Sequence, residues 1–305
     1  MSSALIRRHR LNADLALLFA AVVWGLAFLF QKSATSHVEP LTFIAARCAV
    51  AALALAPLAW HERRNASAPA GPGFLAIAAW GGLAFFIAAW LQQAGIETAT
   101  VTNTGFLTAL YVVITPFAAW VLSGKVPGML VWPAVVLSAL GTLLLGGGSL
   151  GSLSLGDELV AVSAVFWAGH VAITGQASTF GRPIGFTALQ FCIVAALAAL
   201  GAALLETPST AGLAAAAIDI AYVGLLSSAL TFTLLTVALQ HTPPSEAAVI
   251  VSTETVFAAL AAYLVLGERL TGLGWGGATL ILLAILLVQL GPALGTRWQR
   301  LRGLA

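Results

Sequence analysis

Ten apolar runs, most of them about twenty residues long, leave this chain few ways to fold. A helix of that length crosses the hydrocarbon of a bilayer, whereas a barrel strand would be about half as long and would alternate apolar with polar residues. The runs fall at 14–32, 41–60, 74–94, 98–122, 129–147, 157–177, 184–205, 214–240, 244–266 and 273–291. The gaps between them are too short to hold a soluble domain. Only 8% of the 305 residues are charged, against about 25% in a soluble domain. The expectation is an all-α integral membrane protein of ten transmembrane helices, with the lipid bilayer as its surroundings. The net charge of +2 comes from basic residues at loops and termini rather than from one basic face, so nucleic acid is not an expected partner. Cys48 and Cys192 lie inside apolar runs and provide neither a disulfide framework nor a metal-ligand spacing. No metal or cofactor is expected.

The runs are related to one another. Adding 143 to the residue number takes Asp14 to Asp157, Trp24 to Trp167, Pro40 to Pro183 and Phe43 to Phe186. The same offset takes Gly81 to Gly224, Gly124 to Gly267 and Trp132 to Trp275. Chance similarity between apolar segments would not keep rare Trp, Pro and Asp in register. The reading is an N-terminal five-helix repeat over 1–148 and a C-terminal one over 149–305. Five is odd, so the second repeat enters the membrane from the opposite side. In inverted repeats of this kind a solute site lies near the midplane, where the halves meet.

Orientation follows from Lys and Arg. With the N-terminus inside, Arg7, Arg8, Arg10, Arg63, Arg64, Lys125, Arg182, Arg297, Arg300 and Arg302 are cytoplasmic. Lys32 and Arg269 are on the other side, and Arg47 lies within the second helix. Both termini are therefore expected in the cytoplasm. The basic cluster before the first run reads as a cytoplasmic flank rather than a secretory or twin-arginine signal, because that run has a counterpart later in the chain.

Ser245 to Arg269 is apolar enough to cross the membrane, yet Glu254 sits near its middle, and the offset places Tyr111 at the matching position. A charge in hydrocarbon costs about 2.5–3.5 kcal/mol on insertion scales, which makes Glu254 a candidate for function. It offers a counter-charge to a substrate ammonium, a proton carrier or a partner to an arginine; a hydrogen bond to a neighbouring helix is the plainer role. Thr104, Thr108, Tyr111 and Thr115 share one face of the fourth helix, and Ser163, Trp167, His170 and Thr174 share one face of the sixth. Two polar stripes predict a shared wet cavity, with helix–helix hydrogen bonding by Ser and Thr as the alternative. Trp24 shares a face with Phe28 and Gln31 and mirrors Trp167; Phe86, Trp90 and Gln93 share a face of the third helix; Ser227 and Thr231 are one turn apart. The expected cavity residues are Trp24, Phe28, Phe86, Trp90, Thr108, Tyr111, Trp167, His170, Thr231 and Glu254. Arg47, about two turns from the end of its helix, is expected to snorkel.

Two apparent motifs carry no chemistry. Gly146 to Gly151 matches both G-x-G-x-x-G and G-x-S-x-G but lacks the strand–turn–helix setting either requires, and reads as a loop between the halves. The sequon Asn65-Ala66-Ser67 falls on the cytoplasmic side.

The ending Leu266-Gly267-Glu268-Arg269, the Trp24-Gly25 start and the five-plus-five plan resemble the drug/metabolite transporter superfamily, in particular its ten-helix EamA-type members. Members usually carry a Glu-Pro pair in the ninth helix; here Glu254 is followed by Thr255. The resemblance implies a central cavity walled by helices 1, 3, 4, 6, 8 and 9 and ringed by 2, 5, 7 and 10. It also implies a place in the bacterial plasma membrane and export of small metabolites, amino acids first among them. An aromatic lining fits large neutral amino acids, while other metabolites or cationic compounds facing Glu254 are the alternative. An enzyme would need a nucleophile–base or metal set that Arg47, His170 and Glu254 do not make. A scaffold would have little use for polar stripes, and a channel fits an inverted repeat less well than alternating access does.

Overall fold

A computed structural model describes residues 3–66, 70–145, 154–269 and 271–301, with side chains over 7–66, 70–144, 154–269 and 271–287. Gly146 to Gly151 lie outside the described residues. Ten apolar helical segments follow one another: α1 (Arg7–Ala34), α2 (Pro40–Arg64), α3 (Phe74–Ile96), α4 (Val101–Ser123), α5 (Val131–Leu144), α6 (Leu155–Phe180), α7 (Pro183–Leu205), α8 (Ala217–Ala238), α9 (Pro244–Leu266) and α10 (Gly272–Leu287). Eight are long and apolar enough to cross a membrane, and α5 and α10 are shorter. The helix that contains α10 continues to Leu301.

The same punctuation marks both halves. Pro40 and Pro183 open α2 and α7 at the first turn, where a missing N–H costs nothing. Gly124 and Gly267 end α4 and α9 in the left-handed conformation, at φ 68° and 71°. Contacts repeat too. The α2–α7 and α5–α10 pairs each join equivalent helices, while α3–α6 corresponds to α8–α1 and α4–α6 to α9–α1. These pairings are those of two inverted five-helix repeats around a common axis.

The outer helix ends reinforce the α2–α7 pair reciprocally. Glu62 at the end of α2 accepts from the N–H groups of Ile184 (3.1 Å) and Gly185 (2.7 Å) at the start of α7. Glu206, just past α7, accepts from Leu41 and Thr42 at the start of α2, both at 2.7 Å. Each carboxylate satisfies orphan donors at a helix N-terminus and faces the positive end of its dipole. The exterior is apolar, with Leu53, Trp80, Val121, Leu204 and Leu264 exposed, as a lipid-facing surface requires.

Candidate functional site

Two of the central helices are interrupted, and at equivalent places. The helix of α4 stops at Thr108 and restarts at Tyr111; that of α9 stops at Val251 and restarts at Glu254. Both gaps carry tighter i→i+3 bonds, Leu110 to Leu107 and Thr253 to Ile250 among them. No proline causes the break in α9. Instead the hydroxyls of Ser252, Thr253 and Thr255 donate back to carbonyls three residues earlier, which occupies the backbone locally. Tyr111 and Glu254 each begin a new helix beside the axis of the molecule.

They open onto one hollow. Ten of its fifteen lining residues form five pairs related by the offset: Trp24 with Trp167, Phe28 with Val171, Gln92 with Leu235, Thr108 with Val251, and Tyr111 with Glu254. Gln31, Arg47, His170, Ser227 and Phe232 complete the wall. The cavity thus lies where the two repeats meet. Apart from Trp24 and Trp167, its pairs are matched in place but not in chemistry. Gln92 donates to Thr108 at 2.8 Å, whereas their counterparts are Leu235 and Val251. The cavity volume is about 60 Å³, room for a few water molecules.

Phe232 is the centre of the aromatic wall. It packs on Trp24 (ring centroids 4.9 Å apart), Phe85 (4.9 Å), Trp167 (6.0 Å), His170 (5.5 Å) and Phe191 (5.8 Å). Trp24 is anchored further by its indole N–H, which donates to Ser227 O at 2.9 Å. Ser227 lies within a π-helical stretch, Tyr222–Leu230, whose wider turn alters the carbonyl pattern of α8. His170 Nε2 pairs with Gln190 Oε1 at 2.9 Å. Nine buried side-chain atoms among the described residues have no hydrogen-bond partner. Six of them belong to the wall: Gln31 Oε1, Arg47 Nε and Nη2, Trp167 Nε1, His170 Nδ1 and Tyr111 OH, the last lying beside the Glu254 side chain. Buried polar groups are normally paired with protein or ordered water, and these six atoms converge on one hollow.

Seven of the ten expected residues line this hollow: Trp24, Phe28, Thr108, Tyr111, Trp167, His170 and Glu254. Three do not. Phe86 and Trp90 stack on each other at 6.0 Å, Trp90 is exposed, and it is Phe85, one residue earlier, that enters the aromatic cluster. Of the face that spacing assigned to the cavity, Trp90 is exposed, Phe86 is half-buried against the core, and Gln93 is buried, donating to Gln31 O at 3.0 Å. Thr231 is buried, but its hydroxyl is consumed by Ser227 O within its own helix. Thr104, Thr115, Ser163 and Thr174 likewise donate to carbonyls of their own helices, so only the middle of each polar stripe faces the hollow. Arg47 does not snorkel; it is 3% exposed and reaches the wall from α2. Sequence reasoning missed Gln92, Phe232, Val171, Leu235 and Val251. Val171 and Val251 were within reach of the offset, since they are the counterparts of Phe28 and Thr108.

Further contacts join the helices at both ends of the molecule. At the basic-rich end Arg10 Nε meets Asp14 (3.0 Å), its Nη2 meets Glu246, and Thr242 Oγ1 donates to Asp14 at 2.9 Å. Ser178 Oγ there donates to Leu239 O at 3.2 Å. At the other end Lys32 Nζ donates to the carbonyls of Ile96 (2.8 Å), Glu97 (3.1 Å) and Ala99 (3.0 Å), and Asn103 Nδ2 to Asp157 at 3.2 Å. Ile96 and Leu239 are repeat equivalents, as are Asp14 and Asp157, and Asn103 and Glu246.

The sequence profile of the EamA-like transporter family matches residues 11–147 and again 154–290. The chain belongs to the EamA-like transporter family. Two relatives are similar over most of their length. An "uncharacterized transporter" of Archaeoglobus fulgidus is 32% identical over 292 residues, covering 92% of this chain and 87% of the relative. "Uncharacterized transporter YwfM" of Bacillus subtilis is 27% identical over 293 residues, covering 92% and 94%. A solved crystal structure superposes with a TM-score of 0.74 at 18% identity, over 91% of this chain and 96% of the other, a likeness of fold alone. This EamA-like protein is a multi-pass membrane transporter of the drug/metabolite transporter superfamily.

Proposed function

We propose that this EamA-like transporter exports small amphipathic metabolites, large neutral amino acids best among them, by alternating access between its two halves. It does so across the bacterial plasma membrane, with both termini in the cytoplasm. The observation that carries this reading is the convergence of unpartnered polar atoms on an aromatic-walled hollow between the repeats. Aromatic faces take up a large apolar side chain, and the Glu254 carboxylate faces an ammonium group. A small hollow with contacts at both ends fits a carrier that opens to one side at a time better than a channel. Glu254 is the one carboxylate in the wall, which also favours a second reading, export of cationic compounds.

The test is counterflow of labelled phenylalanine and leucine into proteoliposomes, with and without a pH gradient. Accelerated exchange over empty liposomes is expected, and Glu254→Gln should lower it at least about tenfold, the factor that corresponds to about 1.4 kcal/mol of lost interaction. Absence of exchange for every neutral amino acid, with efflux of a quaternary ammonium compound instead, would replace the first reading with the second. Unaltered transport by Glu254→Gln would reduce that residue to packing.

A further inference from the structure

We propose that Arg47 is the receptor for a carboxylate on the transported solute, so that the site takes zwitterions with Glu254 at their cationic end. The inference rests on the reading of the hollow as a solute site and names the chemical class that it selects.

Arg47 is out of place in three respects. It comes from α2, a helix of the outer ring, while every other lining residue comes from the inner helices α1, α3, α4, α6, α8 and α9. It is the one Arg or Lys in the wall. It is also buried without a counter-ion: the two ion pairs among the described residues both belong to Arg10. A guanidinium in such a place is normally paired with an anion.

The surroundings prepare it for one. Phe43 and Phe85 lie 5.9 and 5.7 Å from the guanidinium carbon and cover the cation by cation–π contact. Its N–H edge is then what remains for hydrogen bonding. Of that edge, Nη1 reaches Ser228 Oγ at 3.5 Å, while Nε and Nη2 have no partner. Nε and one Nη form the side of the fork that grips both oxygens of a carboxylate. The backbone at Arg47 is held close to α8, where an added Cβ on Gly224 would stand 2.8 Å from Arg47 O. The offset places Gln190 at the same position in the second repeat, and Gln190 too reaches inward, to His170. A single guanidinium matches a monoanion. Glu254 in the same wall opposes a doubly charged phosphate and completes the complement of a zwitterion.

The experiment compares counterflow of phenylalanine, phenylalaninamide and phenethylamine by wild type, Arg47→Gln and Arg47→Lys, alongside thermal melting of each purified protein with phenylalanine and 3-phenylpropionate. The expected result is at least about tenfold faster exchange of phenylalanine than of the two compounds without a carboxylate. Arg47→Gln should lose that preference and Arg47→Lys retain part of it. Equal exchange of phenylalanine and its amide by wild type, or an unchanged preference in Arg47→Gln, would overturn the role of Arg47 while leaving transport intact. If wild type moves none of the three, the amino-acid reading fails, and melting decides Arg47 separately. A carboxylate that raises the melting temperature of wild type but not of Arg47→Gln upholds the receptor; no such shift overturns it. Arg47→Lys, which keeps the charge, guards against a glutamine variant that does not fold.

Discussion

Tyr111 and Glu254 occupy one position twice over, each at the restart of a broken helix, and phenol against carboxyl gives a symmetric frame an asymmetric site. Other residues act through their neighbours. Glu97, at the Lys32 end, has a carboxyl raised from its ordinary value, first by partial burial and then by repulsion from Glu206 and Glu39, with Lys32 opposing. A carboxyl raised on folding contributes its full stability below its unfolded value, and that contribution is lost as pH rises through the folded value. Glu97→Gln is therefore expected to raise the melting temperature slightly at neutral pH and leave it unchanged in acid, which a melting series against pH will measure. The effect stays small because Glu97 is largely solvated. At this scale the sequence was partly legible. Trp24, Tyr111, Trp167 and Glu254 stood out because rare or charged residues in apolar runs are costly to keep. Phe85 could not be told from Phe86, since one residue turns the side chain by about 100° and α3 is apolar on most sides. Phe232 has an alanine, Ala89, as its counterpart, so the repeat held no sign of it.

Among the elements, the inner helices depend on close approach. An added Cβ on Gly25 of α1 would lie 2.6 Å from Phe257 Cβ and 2.7 Å from Glu254 O on α9. Contact between small residues is how helices associate in lipid, where no hydrophobic force drives them together. Gly25→Ala should therefore displace α9 at Glu254, costing about 1–3 kcal/mol by overpacking and lowering exchange. Gly276→Ala, where the added carbon meets open space, serves as the neutral comparison in the same melting and counterflow assays. The ten segments themselves were legible from apolar length, and their starts from Pro40, Pro183 and Pro244. The interruptions in α4 and α9 were not. The one in α9 arises where serine and threonine hydroxyls bond to their own backbone, a choice that spacing alone does not reveal.

For the whole molecule, the offset that relates the halves also relates the two ends, and the ends differ in charge. Arg10, Asp14 and Glu246 form an ionic cluster where the opposite end has Asn103 with Asp157. Under alternating access, Glu246→Gln should favour opening at the basic-rich end. A partly buried ion pair contributes about 1 kcal/mol, so a cysteine placed at Val171 in a Cys48→Ala/Cys192→Ala background should react roughly fivefold faster with an impermeant maleimide from that side. An unchanged rate would show that the cluster does not hold the end shut.

The carbonyls of Ile96 and Leu239 meet an ammonium at one end and a hydroxyl at the other. A carrier with identical doors would idle with neither preferred. Under alternating access, unlike latches would give this one a resting bias, set by a few side chains at the two ends. Pace and idle orientation could then drift in evolution while the choice of cargo stays fixed.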